Sequence, residues 1–188
     1  MNCYVLTGGR SRRMGESKTA MFLDRVAASA RAVFDRVIAV QRPGGEALAI
    51  ETIHEPPHDG EAAIFGVARA LQHSAAPCFV LAVDYPLITS GVLAFLRDSF
   101  HEEMLIPVWS GIPQMLCAGY GPAMLARIEA RIAESRFDLR GLIAEAHVTM
   151  IEEAELRARF AGEPLLNVNT AEDLELARRI DERLFPSR

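Results

Sequence analysis

The sequence predicts a three-layer α/β fold built on a mainly parallel sheet. Three observations point there. Short apolar runs alternate with segments of helical periodicity along the chain, as in repeated strand–helix units. The run Pro77–Val83 is almost wholly apolar, which calls for cover on both faces of its strand. The 188 residues, 50% of them hydrophobic, suffice for one full core, so a single domain over 1–188 is expected.

The elements follow in order. Asn2–Thr7 reads as a buried first strand stopped by Gly8 and Gly9. Asp24 can cap a helix reaching Phe34, with Val26, Ala30 and Val33 on one face. Arg36–Gln41 is a second buried strand, broken by Pro43, Gly44 and Gly45. Glu51–His54 reads as a short strand, and Glu61–Gln72 as a helix with Ile64, Val67, Ala68 and Leu71 at helical spacing. The strand Pro77–Val83 ends in Asp84-Tyr85-Pro86, and Thr89 caps a helix through Phe100. Met104–Val108 and Pro113–Tyr120 read as strands, Pro122–Glu134 and Asp138–Ala146 as helices, and His147–Ile151 as a strand. Leu165–Val168 reads as a last strand before Thr170, which caps a helix to Leu184 with Glu172 and Asp173 in its first turn.

A net charge of −5 argues against a general nucleic-acid or anionic-membrane surface. No run approaches the ~20 apolar residues that span a bilayer, and the N-terminus reaches glycine before a signal peptide could form. Cys3, Cys78 and Cys117 each lie in an apolar run, far apart in sequence. Buried free thiols and a reducing cytoplasmic location are expected. Positive charge is local: Arg10, Arg12, Arg13 and Lys18 fall within nine residues, and Lys18 is the only lysine among 20 basic side chains. An acidic protein with one basic loop suits a small anionic ligand.

In open parallel sheets, ligands bind beyond the carboxyl ends of the strands. The loops after Leu6, Val83 and Leu166 lie there. In the first, Gly8 and Gly9 allow backbone N–H groups to approach phosphate oxygens, and Arg12, Arg13 and Lys18 can neutralise a polyphosphate. The loop is neither a Walker loop nor the dinucleotide fingerprint, since Gly-Lys-Ser/Thr is absent and the glycine spacing differs. In the second, Asp84 at a strand's carboxyl end can hold Mg²⁺ against phosphate oxygens; alone it would read as a turn or cap residue. In the third, Asn167 and Asn169, two apart at a strand end, point the same way and can bind a metal-bound or ligand oxygen, beside the helix cap at Thr170. Gln114 is a polar residue heading an apolar strand, a weak signal alone. The histidines show no ligand spacing; His54 and His58 flank a proline pair and read as solvated.

Taken together, these motifs resemble the molybdenum cofactor guanylyltransferases, within the wider nucleotidyltransferases of the sugar-nucleotide type. The family loop Leu-Ala-Gly-Gly-x-Ser-x-Arg-Met-Gly-x-x-Lys appears as Leu6-Thr-Gly-Gly-Arg-Ser-Arg-Arg-Met-Gly-Glu-Ser-Lys18. Its Asp-x-Pro appears at Asp84–Pro86, its Gln-Pro-Leu-x-Ala-x-Tyr strand at Gln114–Tyr120, and its Leu-Arg-x-Leu helix at Leu139–Leu142. Its Asn-Val-Asn-Thr-Pro-Glu-Asp-Leu ending appears at Asn167–Leu174 with Ala171 for the proline. Two departures stand out: Ala62-Ala-Ile-Phe-Gly66 replaces the family's Gly-Pro-Leu-Ala-Gly, and Ser17 stands where Asp is common.

The resemblance implies a Rossmann-like nucleotidyltransferase fold and transfer of GMP from GTP to molybdopterin, with pyrophosphate released. It implies Lys18, Arg12 and Asp84 as catalytic residues, and Leu6, Thr7, Gly8, Gly9, Lys18, Gln41, Glu55 and Asp84 as nucleotide-binding. Mg²⁺ would be held by Asp84 and Asn169, and the pterin side marked by Arg140 and Asn167. Cofactor-insertion proteins and molybdoenzyme chaperones are candidate protein partners. The alternatives are a related CTP-using or other small-molecule nucleotidyltransferase, and a nucleotide-binding interaction protein impaired in catalysis.

Overall fold

The computed structural model describes residues 1–7, 18–58, 60 and 62–182, with the main chain alone at Lys18 and Ala20. The expected alternation of strands and helices is present. Strands β1 (Asn2–Leu6), β2 (Val37–Gln41), β3 (Thr52–His54), β4 (Cys78–Ala82), β5 (Met104–Trp109), β6 (Ile112–Pro113), β7 (Cys117–Tyr120) and β8 (Val148–Ile151) form one sheet. Its order is β3-β2-β1-β4-β7-β5-β6, and β8 also pairs with β5. Pairs β1–β2, β2–β3, β1–β4 and β5–β8 are parallel; β7 runs antiparallel to β4 and β5, and β6 antiparallel to β5. The reversals arise because β5, β6 and β7 are joined by connections too short for a crossover. Ser110 and Gly111 both take positive φ in the β5–β6 turn, as a tight hairpin requires.

Helices cover both faces. On one face α1 (Lys18–Arg31) and α3 (Ser90–Asp98) pack Phe22, Val26, Val92 and Leu93 against Cys3, Val5, Phe79 and Leu81. On the other, α2 (Ile64–Ser74) and α4 (Met124–Ala133) pack Ile64, Val67, Met124 and Ile128 against Tyr4, Ile38, Val80 and Met104. Alternate residues of β1 and β4 therefore enter opposite cores, and both strands are nearly all apolar for that reason. Burying each large apolar side chain contributes about 1.5–3 kcal/mol. The three cysteines are buried and free, as expected, and burial pushes the Cys78 thiol up to about 12.

Several boundaries differ from expectation. Helix α1 starts at Lys18, not at Asp24; Asp24 lies within it on the exposed side, while Phe22 and Leu23 already belong to the buried stripe. Helix α2 begins three residues late, at Ile64, behind Ala63, which gives no side-chain cap. The single strand expected over Pro113–Tyr120 is broken at Gln114–Leu116, where Gln114 N donates to Pro107 O and Cys117 N donates back to Gln114 O. The helix expected over Asp138–Ala146 is a short 3-10 helix, Arg140–Ala144, started by an Asp138 carboxylate that accepts from Gly141 N. No strand forms at Leu165–Val168; Leu165 and Val168 are buried, but the segment's bond toward the sheet is Val168 N to Asp84 O.

Helix α5 (Glu153–Arg159) was not expected from the sequence. It carries i,i+4 ion pairs Glu153–Arg157 and Glu155–Arg159, with Leu156 as its buried residue. Helix α6 (Ala171–Ile180) has the predicted Thr170 cap, completed by Asp173 as a capping box. It ends at Ile180, short of Leu184, which lies outside the described residues.

Candidate active site at the β1–β4 switch

The chain runs from β1 outward to β2 and β3, then returns to β4 on the other side of β1. A crevice at such a reversal is where open α/β sheets bind ligands. Thr7 sits at its base. Its N–H and its Oγ1 each lie 3.1 Å from Val40 O, and its carbonyl accepts from Thr19 Oγ1 at 3.0 Å. The two ends of the basic loop are thus tied together at the carboxyl end of β1. Gly8, Gly9 and Arg12 lie outside the described residues, and Lys18 enters as the first residue of α1.

Strand β4 is locked to the same point, since Val83 N donates to Leu6 O at 3.1 Å. Asp84 follows, half-buried, and its carbonyl accepts from Val168 N at 2.9 Å. That bond brings the segment of Asn167 and Asn169 to the end of β4. Tyr85 is buried and donates its hydroxyl to Gln114 Oε1 at 2.9 Å. Burial pushes its phenol far up, against a hydrogen bond from Asn167, so it acts as a neutral donor. Gln114 Nε2 donates to the carbonyls of Trp109 and Ile112. The weak signal at Gln114 is therefore a fastening of the β5–β6 turn to the residue beside Asp84.

Tyr85 and Gln114 open onto a cavity of about 520 Å³. Tyr85, Gln114, Phe137, Arg140, Asn167 and Asn169 lie on its wall. Asn167 Oδ1 is buried with no hydrogen-bond partner among the described residues, so the wall has an acceptor to offer to a ligand. The Asp84 carboxylate and the Asn167 and Asn169 amides, on segments joined by the Val168–Asp84 bond, are oxygen donors of the kind that suits a hard divalent cation. Among the described residues no three His, Cys, Asp or Glu side chains gather as a ready-made metal cage.

Arg131 supports the Arg140 wall. The residue is 2% exposed, and its guanidinium bonds Asp138 Oδ2 at 2.5 Å and Glu145 Oε1 at 2.7 Å. Gly141 packs flat against it: a Cβ there would stand 2.2 Å from Arg131 Nη2. Gly141→Ala is expected to lower the melting temperature by roughly 2–12 °C through overpacking, and to weaken ligands bound beside Arg140. Thermal unfolding and binding assays check both. Asp138 is held below the usual carboxylate range, first by the Gly141 N–H and then by Arg131; Glu145 is held low first by Arg136. Depressed carboxylates contribute stability above their unfolded pKa of ~4 and lose it as the pH falls further.

The β2–β3 side holds the other expected residues. Gln41 is buried, its Nε2 donating to Glu46 O at 3.1 Å, and its carbonyl accepts from Glu55 N at 2.9 Å. Glu55 is 8% exposed and bonded to His58, so His58 is not the solvated residue the sequence suggested. The Glu55 Oε1 atom and the Leu6 side chain both crowd the bare Cα of Gly66. Leu6, Gln41 and Glu55 thus form a second cluster, and none of them lines the large cavity. A smaller pocket of about 410 Å³ lies outside it, against Arg42, Pro43, Pro56, Pro57 and His58. Tyr85, His58 and Arg131 are the residues the sequence did not single out. The signals for them were their places next to Asp84, next to the Glu55 loop, and opposite Gly141.

Comparison with known proteins gives a consistent picture. Residues 3–150 match the model of the MobA-like NTP transferase domain. A probable molybdenum cofactor guanylyltransferase of Aquifex aeolicus is 29% identical over 182 residues, covering 92% of this chain and 88% of the relative. The crystal structure of molybdopterin-guanine dinucleotide biosynthesis protein A from Archaeoglobus fulgidus superposes with a TM-score of 0.82 at 25% identity, over 97% of this chain and 100% of that one. A Mycobacterium tuberculosis protein crystallised with manganese shares the fold, with a TM-score of 0.63 at 16% identity, over 99% of this chain and 97% of that one. Among the described residues no helix is long and apolar enough to cross a membrane.

Proposed function

The chain belongs to the MobA-like NTP transferase domain family, and on that premise we propose that it transfers GMP from GTP to the terminal phosphate of molybdopterin, or of its molybdenum form. As a member it is a nucleotidyltransferase with a mainly parallel α/β sheet. The observation that carries the finer reading is the convergence at the β1–β4 switch: Thr7 is tied to α1, Val83 to Leu6, and Val168 to Asp84.

In this reading an acceptor phosphate oxygen forms a bond to the α-phosphorus of GTP while the bond to the β-phosphate oxygen breaks, releasing pyrophosphate. The acceptor is already an anion, with a second pKa of ~6, so no strong general base is required. Catalysis is positioning plus charge stabilisation. The Gly8 and Gly9 backbone holds the triphosphate, and Lys18 with Arg12 neutralises charge on the α-phosphate and the departing pyrophosphate. Asp84, assisted by Asn169, would hold Mg²⁺, which supplies neutralisation of phosphate charge when bound; the manganese in the structural neighbour supports a divalent ion. Glu55 reads guanine, its two oxygens accepting from the paired N1–H and exocyclic amine donors. Leu6, Thr7 and Gln41 complete the guanosine side, while Arg140 and Asn167 face the pterin.

The test is pyrophosphate release with each common nucleoside triphosphate, with and without molybdopterin. Release is expected with GTP and only when molybdopterin is present. Release with CTP instead assigns a cytidylyl donor. Nucleotide binding without release under any combination assigns an interaction module.

A further inference from the structure

His58 stands three residues beyond Glu55, and the loop turns its ring back on that carboxylate. His58 Nε2 lies 2.7 Å from Glu55 Oε2. The ring lies flat on Phe65, with centroids 3.7 Å apart and planes inclined by 18°. An ionised carboxylate only accepts, so Nε2 is the donor. Arg42 adds positive charge 3.9 Å away, beyond bonding distance, and itself bonds Gly60 O.

The other carboxylate oxygen is held differently. Glu55 Oε1 stands 2.9 Å from where a Cβ on Gly66 would lie, and the same spot is 3.2 Å from a Leu6 methyl. That oxygen is therefore turned toward the end of β1. The small outer pocket is lined by His58 and Arg42, the two residues beside Glu55 Oε2, and not by Glu55 itself.

We propose that His58 is a positioning residue for nucleobase recognition. It grips Glu55 by one oxygen and fixes the plane of the carboxylate for a guanine base. Each carboxylate oxygen has two acceptor sites, so Oε2 serves a second donor while His58 holds it. Phe65 acts through His58, keeping the ring in the plane from which Nε2 reaches the carboxylate. The aromatic at position 65 and the histidine at 58 are one device. The proposal rests on the reading of Glu55 as the base-contacting group.

The test separates the hydrogen bond from the packing. His58→Phe keeps a flat ring on Phe65 without a donor, and His58→Leu is a second donor-free variant should the first fail to fold. His58→Gln restores an amide donor without the ring. In steady-state kinetics the donor-free variants are expected to raise KM for GTP about 10-fold or more, the scale of losing one hydrogen bond to a charged group, with kcat nearly unchanged. Calorimetry should show their preference for GTP over ATP shrinking in parallel, and His58→Gln should regain most of it. A folded donor-free variant with wild-type KM and base preference overturns the proposal and leaves His58 a packing residue. Equal wild-type affinities for GTP and ATP would overturn the Glu55 reading and this proposal together.

Discussion

Asp84→Asn is expected to reduce nucleotidyl transfer on the order of 10²–10³-fold, the scale of removing one group that stabilises charge at a reacting centre. The substitution keeps the shape of the side chain and removes its charge. It leaves the main-chain bond from Val168 N to Asp84 O intact, so the approach of Asn167 and Asn169 survives. Tyr85 and Val83, which carry the local packing, are untouched. The melting temperature should therefore stay near wild type while turnover collapses, most severely at limiting Mg²⁺. Turnover measured across a Mg²⁺ series, beside a thermal melt, checks this. A variant that matches wild type at limiting Mg²⁺ would remove the metal assignment from Asp84.

Lys18→Arg is the second large effect, a loss of roughly 100-fold or more in kcat/KM although the positive charge is kept. Lys18 is the sole lysine of the chain and the first residue of α1, and the N-terminus of a helix favours anionic groups. Its ammonium is a compact point charge on a flexible stem; a guanidinium is a broad planar fork that binds oxygens in pairs. At a phosphate whose oxygens change position during transfer, the two are not equivalent. Steady-state kinetics decide it, and near-wild-type turnover would exclude a role at the α-phosphate.

The fold was legible because its strands are buried on both faces. Runs such as Cys78–Ala82 have no polar alternation, and such runs between helical segments leave few architectures open. Elements set by tertiary contacts were not legible. Helix α5 buries Leu156 as its one apolar anchor, so no periodic stripe announced it. The apolar run Pro113–Tyr120 hid a break, where Gln114 bonds Pro107 through its main chain and Trp109 and Ile112 through its side chain, pairings that sequence spacing does not encode.

The same division holds at the site. Asp84, Asn167 and Asn169 stood out as polar residues ending apolar runs, and a main-chain bond from Val168 N to Asp84 O joins their two segments. Arg140 joins Asn167 and Asn169 on the cavity wall. His58 read as a solvated loop residue after a proline pair; its ring instead stacks on Phe65, seven residues further on. Tyr85 entered only as the middle of Asp84-Tyr85-Pro86; it is a core residue that also holds Gln114. Gly141 could be read only once Arg131 was known to lie against it.

Transfer of label from GTP tests the central claim most directly. The protein would be incubated with Mg²⁺, molybdopterin and GTP labelled at the α-phosphate, and the products separated. The expected result is label in a molybdopterin guanine dinucleotide, formed in step with pyrophosphate. Label recovered only as free GMP or unreacted GTP, or dinucleotide formed from labelled CTP in preference, would contradict it.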